Sequence, residues 1–215
     1  MSFLDPQHAS STLEIFVFLS AISLAPSLLI MLTSFVRIMI SLSFLRSALG
    51  TQQMPPSQVL IGLALFLTLF VMGPIFTEIN DTALKPYTDG ALSASQAIDA
   101  GMKPLRRFML NQAEDKDMAL FMELSGETYD SIESIPNRVL MPAFMLGELT
   151  KGFKIGFIIY LPFIAIDMVV ASILMAMGMM MLPPAMISLP FKLLLFIMSG
   201  GWSFLVENLV RTFRF

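Results

Sequence analysis

The chain has 215 residues and a net charge of −3, and 56% of its residues are hydrophobic. Only 13% are charged, about half of the roughly 25% found in soluble domains. This composition excludes an ordinary soluble domain and is typical of a membrane protein. Because the chain has no cysteine, disulfide frameworks and thiolate metal sites are excluded as well.

Apolar segments indicate the fold class. Each is near or above the ~18 residues that indicate a membrane-spanning helix. They cover Leu13–Ile40, Val59–Phe76, Ile155–Met181 and Leu189–Val206. We therefore predict an all-α, membrane-associated fold, in which two long kinked helical hairpins flank a small polar helical insert.

Residues 1–76 hold the N-terminal leader and the first predicted hairpin. Pro26 is expected to bend the first helix, because proline leaves a backbone carbonyl without its donor. Gly50 is expected to end this helix, since glycine adopts the left-handed conformation of a C-terminal cap. The following stretch "TQQMPPSQ" predicts a turn, after which Ser57 caps the second helix.

Residues 77–138 form a polar insert with eleven acidic and six basic residues. The stretches "SASQAIDAGMKPLRRFMLNQ" and "DKDMALFMELSG" have apolar residues at helical spacing, so the insert is predicted to consist of short helices without strands. An insert of this size cannot hold much of a core of its own. We expect it to pack on its neighbours.

Residues 139–215 form the second predicted hairpin, whose turn is "LPPAMISLP". Pro142 and Pro162 are expected to break its first arm into pieces. Glu148, Lys151 and Lys154 lie within a helical turn or two of one another, where opposite charges can pair. We interpret this trio as a solvated or interfacial face.

Ionisable side chains in apolar surroundings are the candidate functional groups. They are Glu14, Arg37, Asp167, Lys192 and Glu207. Asp167 lies in the middle of a segment, where a carboxylate costs about 2.5–3.5 kcal/mol, so it needs a partner. Two roles are possible for Asp167. It can form a structural ion pair, or it can be the coupling carboxylate of a proton-coupled secondary transporter.

Lys192 is the natural partner of Asp167. If the hairpin turn is centred near Ala185, Asp167 lies 18 residues before it and Lys192 lies 7 after it. The mismatch is about 16 Å of helix rise, so the two side chains should miss each other within one chain. We therefore predict a charge pair between subunits of an oligomer that steps along an axis.

Methionines cluster just before Pro183 and Pro184. Met179, Met180 and Met181 cannot share one face of a helix, but they can project together where the backbone leaves the helix before proline. Several copies around an axis would then form a ring of thioethers that excludes ions and still deforms around a passing chain. The alternative is that these methionines fill gaps in an apolar helix.

Enzyme motifs do not occur in the sequence. It lacks a glycine-rich phosphate loop with a lysine, an HExxH motif and a Gly-x-Ser-x-Gly motif, and it has a single histidine. We expect no enzymatic activity, no cofactor, no metal site and no nucleic-acid partner.

Two long blocks resemble the signature sequences of the FliP family of flagellar type III export gate proteins. They read "TSFVRIMISLSFLRSALGTQQMPPSQVLIGLALFLTLFVMGPIF" and "PAFMLGELTKGFKIGFIIYLPFIAIDMVVASILMAMGMMMLPPAMISLPFKLLLF". The resemblance implies a structural subunit of the flagellar protein export channel. Such subunits assemble in several copies with FliQ and FliR into a gated conduit for unfolded flagellar proteins, with FlhB and FlhA as further partners.

The resemblance also implies a location and residue roles. The location is the bacterial inner membrane at the flagellar basal body, with the polar insert on the periplasmic side. The family's channel gasket falls on Met179, Met180 and Met181, and its acid and lysine pair falls on Asp167 and Lys192. Arg37, Glu148 and Glu207 remain as other embedded charges.

Overall fold

The computed structural model describes residues 23, 27, 30–51, 54–127, 129, 131–179 and 181–214. These residues contain helices and no β-strand, so the predicted all-α fold is confirmed. The helices in chain order are α1 (Phe35–Leu49), α2 (Ser57–Ile79), α3 (Lys85–Thr88), α4 (Ala94–Gln112), α5 (Asp115–Ser125), α6 (Asn137–Ala176), α7 (Pro184–Met198) and α8 (Gly201–Val210). The predicted kink at Pro26 lies outside the described residues.

The first hairpin joins α1 to α2. Helix α1 ends at Gly50, whose φ of 70° confirms the predicted left-handed cap. Helix α2 begins at Ser57 with Pro56 at the N-cap position. The predicted cap by Ser57 is therefore wrong, because Ser57 is already helical. Its hydroxyl instead accepts a hydrogen bond from Arg46 at 2.8 Å.

In the part of the chain that the structure describes, two helical runs are each long and apolar enough to cross a membrane. One is the 32-residue run Ser57–Thr88, in which a π-helical stretch, Asn80–Leu84, joins α2 to α3. The other is the 40-residue helix α6. Pro142 and Pro162 lie inside α6, so the prediction that they break it is wrong. A proline removes one hydrogen bond of a helix and bends it, which need not end it.

The last apolar segment is bent. Helices α7 and α8 meet at an angle of 62°, so the predicted apolar segment Leu189–Val206 contains the kink between two helices. The bend falls at Gly200 and Gly201, whose φ values are 90° and 54°. Glycine reaches this left-handed region without steric cost, which explains how the chain turns there.

The hydrophobic core lies where the insert meets the two hairpins. It contains Leu42 of α1, Met72 of α2, Phe108 of α4 and Phe144 of α6, all buried. The rings of Phe108 and Phe144 pack edge to face at 5.8 Å. Because α4 belongs to the insert, the prediction that the insert packs on its neighbours is confirmed.

Helices α1 and α6 pack at close range. The side chains of Ile40 and Phe44 lie over Gly152 and Gly156 of α6. A Cβ atom added at Gly156 would come within 2.4 Å of Cγ of Phe44. The missing side chains at these two positions therefore set the distance between the helices, and with it the position of the charges described next.

Candidate functional site

Arg37 of α1 and Glu148 of α6 form a buried ion pair. Their side chains are 1% and 0% exposed. Arg37 Nε donates to Glu148 Oε2 at 2.9 Å, and Nη2 donates to Oε1. Such a two-bond contact fixes the relative orientation of both side chains. It therefore locks α1 against α6.

Of the predicted solvated or interfacial face of Glu148, Lys151 and Lys154, Glu148 is not solvated but lies at the interface between α1 and α6. The close approach of α1 brings the guanidinium of Arg37 onto Glu148 and removes it from solvent. Lys151 is half-buried, with Nζ 3.7 Å from Glu148 Oε1, and it donates to the backbone carbonyl of Gln112. Lys154 is exposed, and its Nζ lies 3.6 Å from Glu114 Oε1.

The other donors of Arg37 bind the insert and the C-terminal residues. Arg37 Nη2 donates to Gln112 Oε1 at 3.0 Å, and Nη1 donates to the carbonyl of Thr212 at 2.9 Å. The ring of Phe213 lies 4.0 Å from the guanidinium carbon, within the range of a cation–π contact. We call Arg37, Gln112, Glu148, Thr212 and Phe213 the arginine cluster. It joins α1, α4, α6 and the residues after α8 at one point.

Asp167 of α6 and Lys192 of α7 pair within the same chain. Lys192 Nζ lies 2.6 Å from Asp167 Oδ2. The hydroxyl of Ser188 donates to Asp167 Oδ1 at 2.5 Å. Lys192 is 4% exposed and also donates to the carbonyl of Ala48 at 3.1 Å, so it ties the second hairpin to the end of α1.

The predicted pairing of Asp167 and Lys192 between subunits is therefore not needed, and its premise is wrong. The premise placed the turn near Ala185, but α6 ends at Ala176 and α7 begins at Pro184. The turn is thus centred near residue 180. Asp167 lies 13 residues before that point and Lys192 lies 12 after it, so the two side chains are level.

The methionine turn, residues 177–183, leaves the helix before the prolines, as the sequence predicted. Gly178 has a φ of 75°, and the amide of Met179 donates to the carbonyl of Leu174 at 2.9 Å. Met181 is 98% exposed and Met177 is also exposed, whereas Met179 is half-buried. Met180 lies outside the described residues, so a shared direction of all three methionines stays a prediction.

Glu207 is not embedded in this chain. Its side chain is 60% exposed and accepts a hydrogen bond from Arg211, one helical turn further on, at 2.8 Å. The short helix α8 buries Leu205 and Leu209, which leaves Glu207 on the open side. Glu14 lies outside the described residues.

Sequence reasoning missed several partners in these sites. Gln112, Thr212 and Phe213 of the arginine cluster were not expected, nor was the hydrogen bond from Ser188. The one available signal was the presence of two opposite charges, Arg37 and Glu148, in separate predicted hairpins. Polar residues near such charges carry no mark in the sequence, because their proximity depends on how the helices pack.

Uncovered apolar faces accompany these buried charges. Exposed side chains on α2 include Phe66 and Phe70, and those on α6 include Phe153 and Phe157. Large exposed apolar surfaces indicate contact with lipid or with other proteins. The fold and the site thus define an all-α membrane protein whose hairpins are joined by buried charges.

Comparison with known proteins identifies the family. The model of the FliP family matches residues 18–209. The chain is 50% identical over 210 residues to "Flagellar biosynthetic protein FliP" of Bacillus subtilis (strain 168), covering 97% of this chain and 95% of that protein. It is 48% identical to the proteins of the same name from Pectobacterium carotovorum subsp. carotovorum and Treponema pallidum (strain Nichols), covering 81% and 79% of them. The chain belongs to the FliP family.

Proposed function

We propose that this chain is a structural subunit of the flagellar type III protein export channel. In this role it oligomerises with further copies of itself and with FliQ and FliR to form a gated conduit for unfolded flagellar proteins. Its family membership and the printed name of its relatives support a part in flagellum biosynthesis. The observation that carries the proposal is the methionine turn, an uncharged, exposed loop at the end of a braced hairpin.

The methionine turn has the chemistry of a channel seal. No charged residue occurs between Asp167 and Lys192, and Met181 is almost fully exposed. We propose that Met179, Met180 and Met181 of several copies form a ring that closes the conduit. An apolar constriction blocks ions by excluding water, and unbranched thioether side chains can rearrange around a passing polypeptide.

The ion pair at the base of this hairpin supports the same role. Asp167 and Lys192 link α6 to α7, and Lys192 also binds the end of α1. A turn that must close an opening needs arms that keep a fixed distance, and a hydrogen-bonded ion pair with a buried lysine fixes that distance. The pair therefore positions the methionine turn and does not itself line the conduit.

The uncovered apolar faces of α2 and α6 are where we propose that the partners bind. Other copies of the chain, FliQ and FliR would cover side chains such as Phe66 and Phe153, with FlhB and FlhA as further neighbours. We also propose an inner-membrane location with the insert on the periplasmic side. Arg46, at the end of α2 opposite the insert, favours this placement under the rule that cytoplasmic ends carry more basic residues, whereas Arg211 and Arg214 beside the insert count against it.

The test of the seal is the triple variant Met179→Ala, Met180→Ala and Met181→Ala. Ion leakage and secretion of flagellar proteins are measured in cells that carry the variant in place of the parent chain. We expect leakage to rise while secretion continues. Met198→Ala is the matched control, since Met198 is 77% exposed but lies outside the turn. Normal ion leakage in cells with the triple variant would contradict the seal and would indicate that these methionines only fill gaps in packing.

The alternative of a proton-coupled secondary transporter is less well supported. That role requires Asp167 to be free to exchange a proton during transport. Both of its carboxylate oxygens instead accept hydrogen bonds, from Ser188 and Lys192. Asp167 thus belongs to a contact that holds three helices together.

A further inference from the structure

Met181 in the methionine turn is the most exposed of the described methionines, although other exposed methionines, such as Met186 and Met198, lie outside the turn. Met181 is 98% exposed and Met177 is 63% exposed. Met72 of α2 and Met109 of α4, by contrast, are completely buried. Oxidation of methionine follows access to the sulfur, so the sulfur atoms of one chain differ greatly in their reactivity toward small oxidants.

We propose that the thioether of Met181 is an oxidation site for hydrogen peroxide, and that its oxidation loosens the channel seal. The second half of this inference rests on the proposed function. The first half, oxidation of Met181 ahead of the buried methionines, rests on its exposure. The two halves are therefore tested separately.

The chemistry needs only the thioether and peroxide. The sulfur lone pair attacks one peroxide oxygen, so that a sulfur–oxygen bond forms as the oxygen–oxygen bond breaks. The sulfur is oxidised to a sulfoxide and the peroxide is reduced. The proton of the transferred oxygen passes to the departing hydroxide, which leaves as water.

The consequence follows from the surroundings of Met181. The turn offers no charged side chain, since none occurs between Asp167 and Lys192 and those two are paired with each other. Oxidation converts a flexible apolar side chain into a polar one that binds water strongly. In a ring of several copies each chain would contribute such a group. A constriction that works by excluding water would then become hydrated and conduct ions.

The first experiment measures where oxygen is added. Cells that produce the full chain are exposed briefly to dilute hydrogen peroxide, the chain is isolated, and the sulfoxide at each methionine is quantified by mass spectrometry of peptides. We expect Met181 to be oxidised several-fold faster than Met72 and Met109. Equal rates at the three positions, or a reduced Met181 beside oxidised core methionines, would overturn the site.

The second experiment measures the seal with Met181→Leu, which keeps an apolar side chain of similar size but has no sulfur. We expect peroxide to raise ion leakage in cells with the parent chain, and this rise to fall by at least half in the variant. Met198→Leu, which replaces another exposed methionine outside the turn, should respond as the parent does. If peroxide raises ion leakage as much in Met181→Leu as in the parent chain, oxidation of Met181 does not loosen the seal. If instead cells with the triple alanine variant described above do not leak ions, the proposed methionine seal is contradicted. The oxidation of Met181 would still be supported by the first experiment.

Discussion

At the scale of single residues, substitution of Arg37 is expected to reduce the stability of the fold strongly. It is buried, and its guanidinium binds Glu148, Gln112 and the carbonyl of Thr212 at once. We predict that Arg37→Met lowers the free energy of unfolding by about 3–5 kcal/mol, because the buried carboxylate of Glu148 loses the guanidinium that donates to both of its oxygens. The measurement is chemical unfolding of the full chain in detergent micelles, followed by circular dichroism.

The control for Arg37→Met is Lys85→Met. Lys85 forms an ion pair with Asp81 at 2.6 Å, but both side chains are more than half exposed. Pairs of this kind contribute about 0–1 kcal/mol, so the control should unfold almost as the parent does. If both variants lose the same free energy of unfolding, the arginine cluster stabilises this fold no more than an exposed ion pair does.

Glu114 gives a prediction about pH. Burial alone would raise the pKa of Glu114. A hydrogen bond from Lys116 and the positive charges of Lys154, Lys116 and Lys151 lower it by more than burial raises it, so the pKa lies below its ordinary 4.5. A carboxyl group with a lowered pKa stabilises the fold above its unfolded pKa, and this contribution is lost as pH falls through the folded value. We therefore expect the melting temperature to drop with acidification below about pH 4.5.

The share of Glu114 in this drop is isolated by Glu114→Gln, which cannot ionise. The melting temperatures of parent and variant are measured from pH 6 to pH 3, and the difference between them should shrink as pH falls. Because Glu114 is a quarter exposed, the effect at neutral pH should be below about 1 kcal/mol. A difference that stays constant with pH would contradict the assignment.

At the scale of the helices, the packing of α1 on α6 depends on Gly156. A methyl group there would meet the ring of Phe44 at 2.4 Å. We predict that Gly156→Ala lowers the free energy of unfolding by about 1–3 kcal/mol, the cost of overfilling a packed site. In the same helix geometry, no described atom lies within 4 Å of a Cβ added at Gly62 of α2.

Gly62→Ala is thus the matched control for Gly156→Ala. It should raise the free energy of unfolding by about 0.5–1 kcal/mol, because alanine has less backbone freedom to lose in a helix. Phe44→Ala added to Gly156→Ala should recover part of the loss by removing the clash. The idea fails if both glycine variants change stability in the same direction.

Helices are also the scale at which sequence reasoning succeeded best. The apolar segments predicted α2 and α6, and the glycine after α1 predicted its end, because these signals are local. The positions of helix ends in the second hairpin were less well predicted, since Met177–Pro183 offers several places to turn. An error of a few residues there moved Lys192 out of reach of Asp167 in the prediction. The pairing of Arg37 with Glu148 depends on contacts 111 residues apart, which no local pattern encodes.

At the scale of the whole molecule, two ion-pair sites hold α1 and α6 together at different points. The arginine cluster joins α1 and α6 to the insert and to Thr212. The pair of Asp167 and Lys192 joins α6 and α7 to the end of α1. Both hairpins are therefore braced within one chain. The oligomerisation that we propose would therefore use the uncovered apolar faces.

The last prediction separates bracing within a chain from pairing between chains. Asp167→Lys and Lys192→Asp each place two like charges together, and each should lower the free energy of unfolding by about 3 kcal/mol or more. Reduced stability lowers the amount of folded chain in the membrane. The double variant in one chain restores opposite charges and should recover much of that amount.

The deciding measurement is co-production of the two single variants as separate, differently tagged chains. Pairing between subunits would bring the lysine introduced at position 167 of one chain to the aspartate introduced at position 192 of the next, and the amount of both chains in the membrane would recover. Pairing within a chain leaves like charges in every copy, so we expect no recovery. The same outcome would show that the methionine turn is positioned before any partner binds, because the pair of Asp167 and Lys192 would then form within each chain by itself.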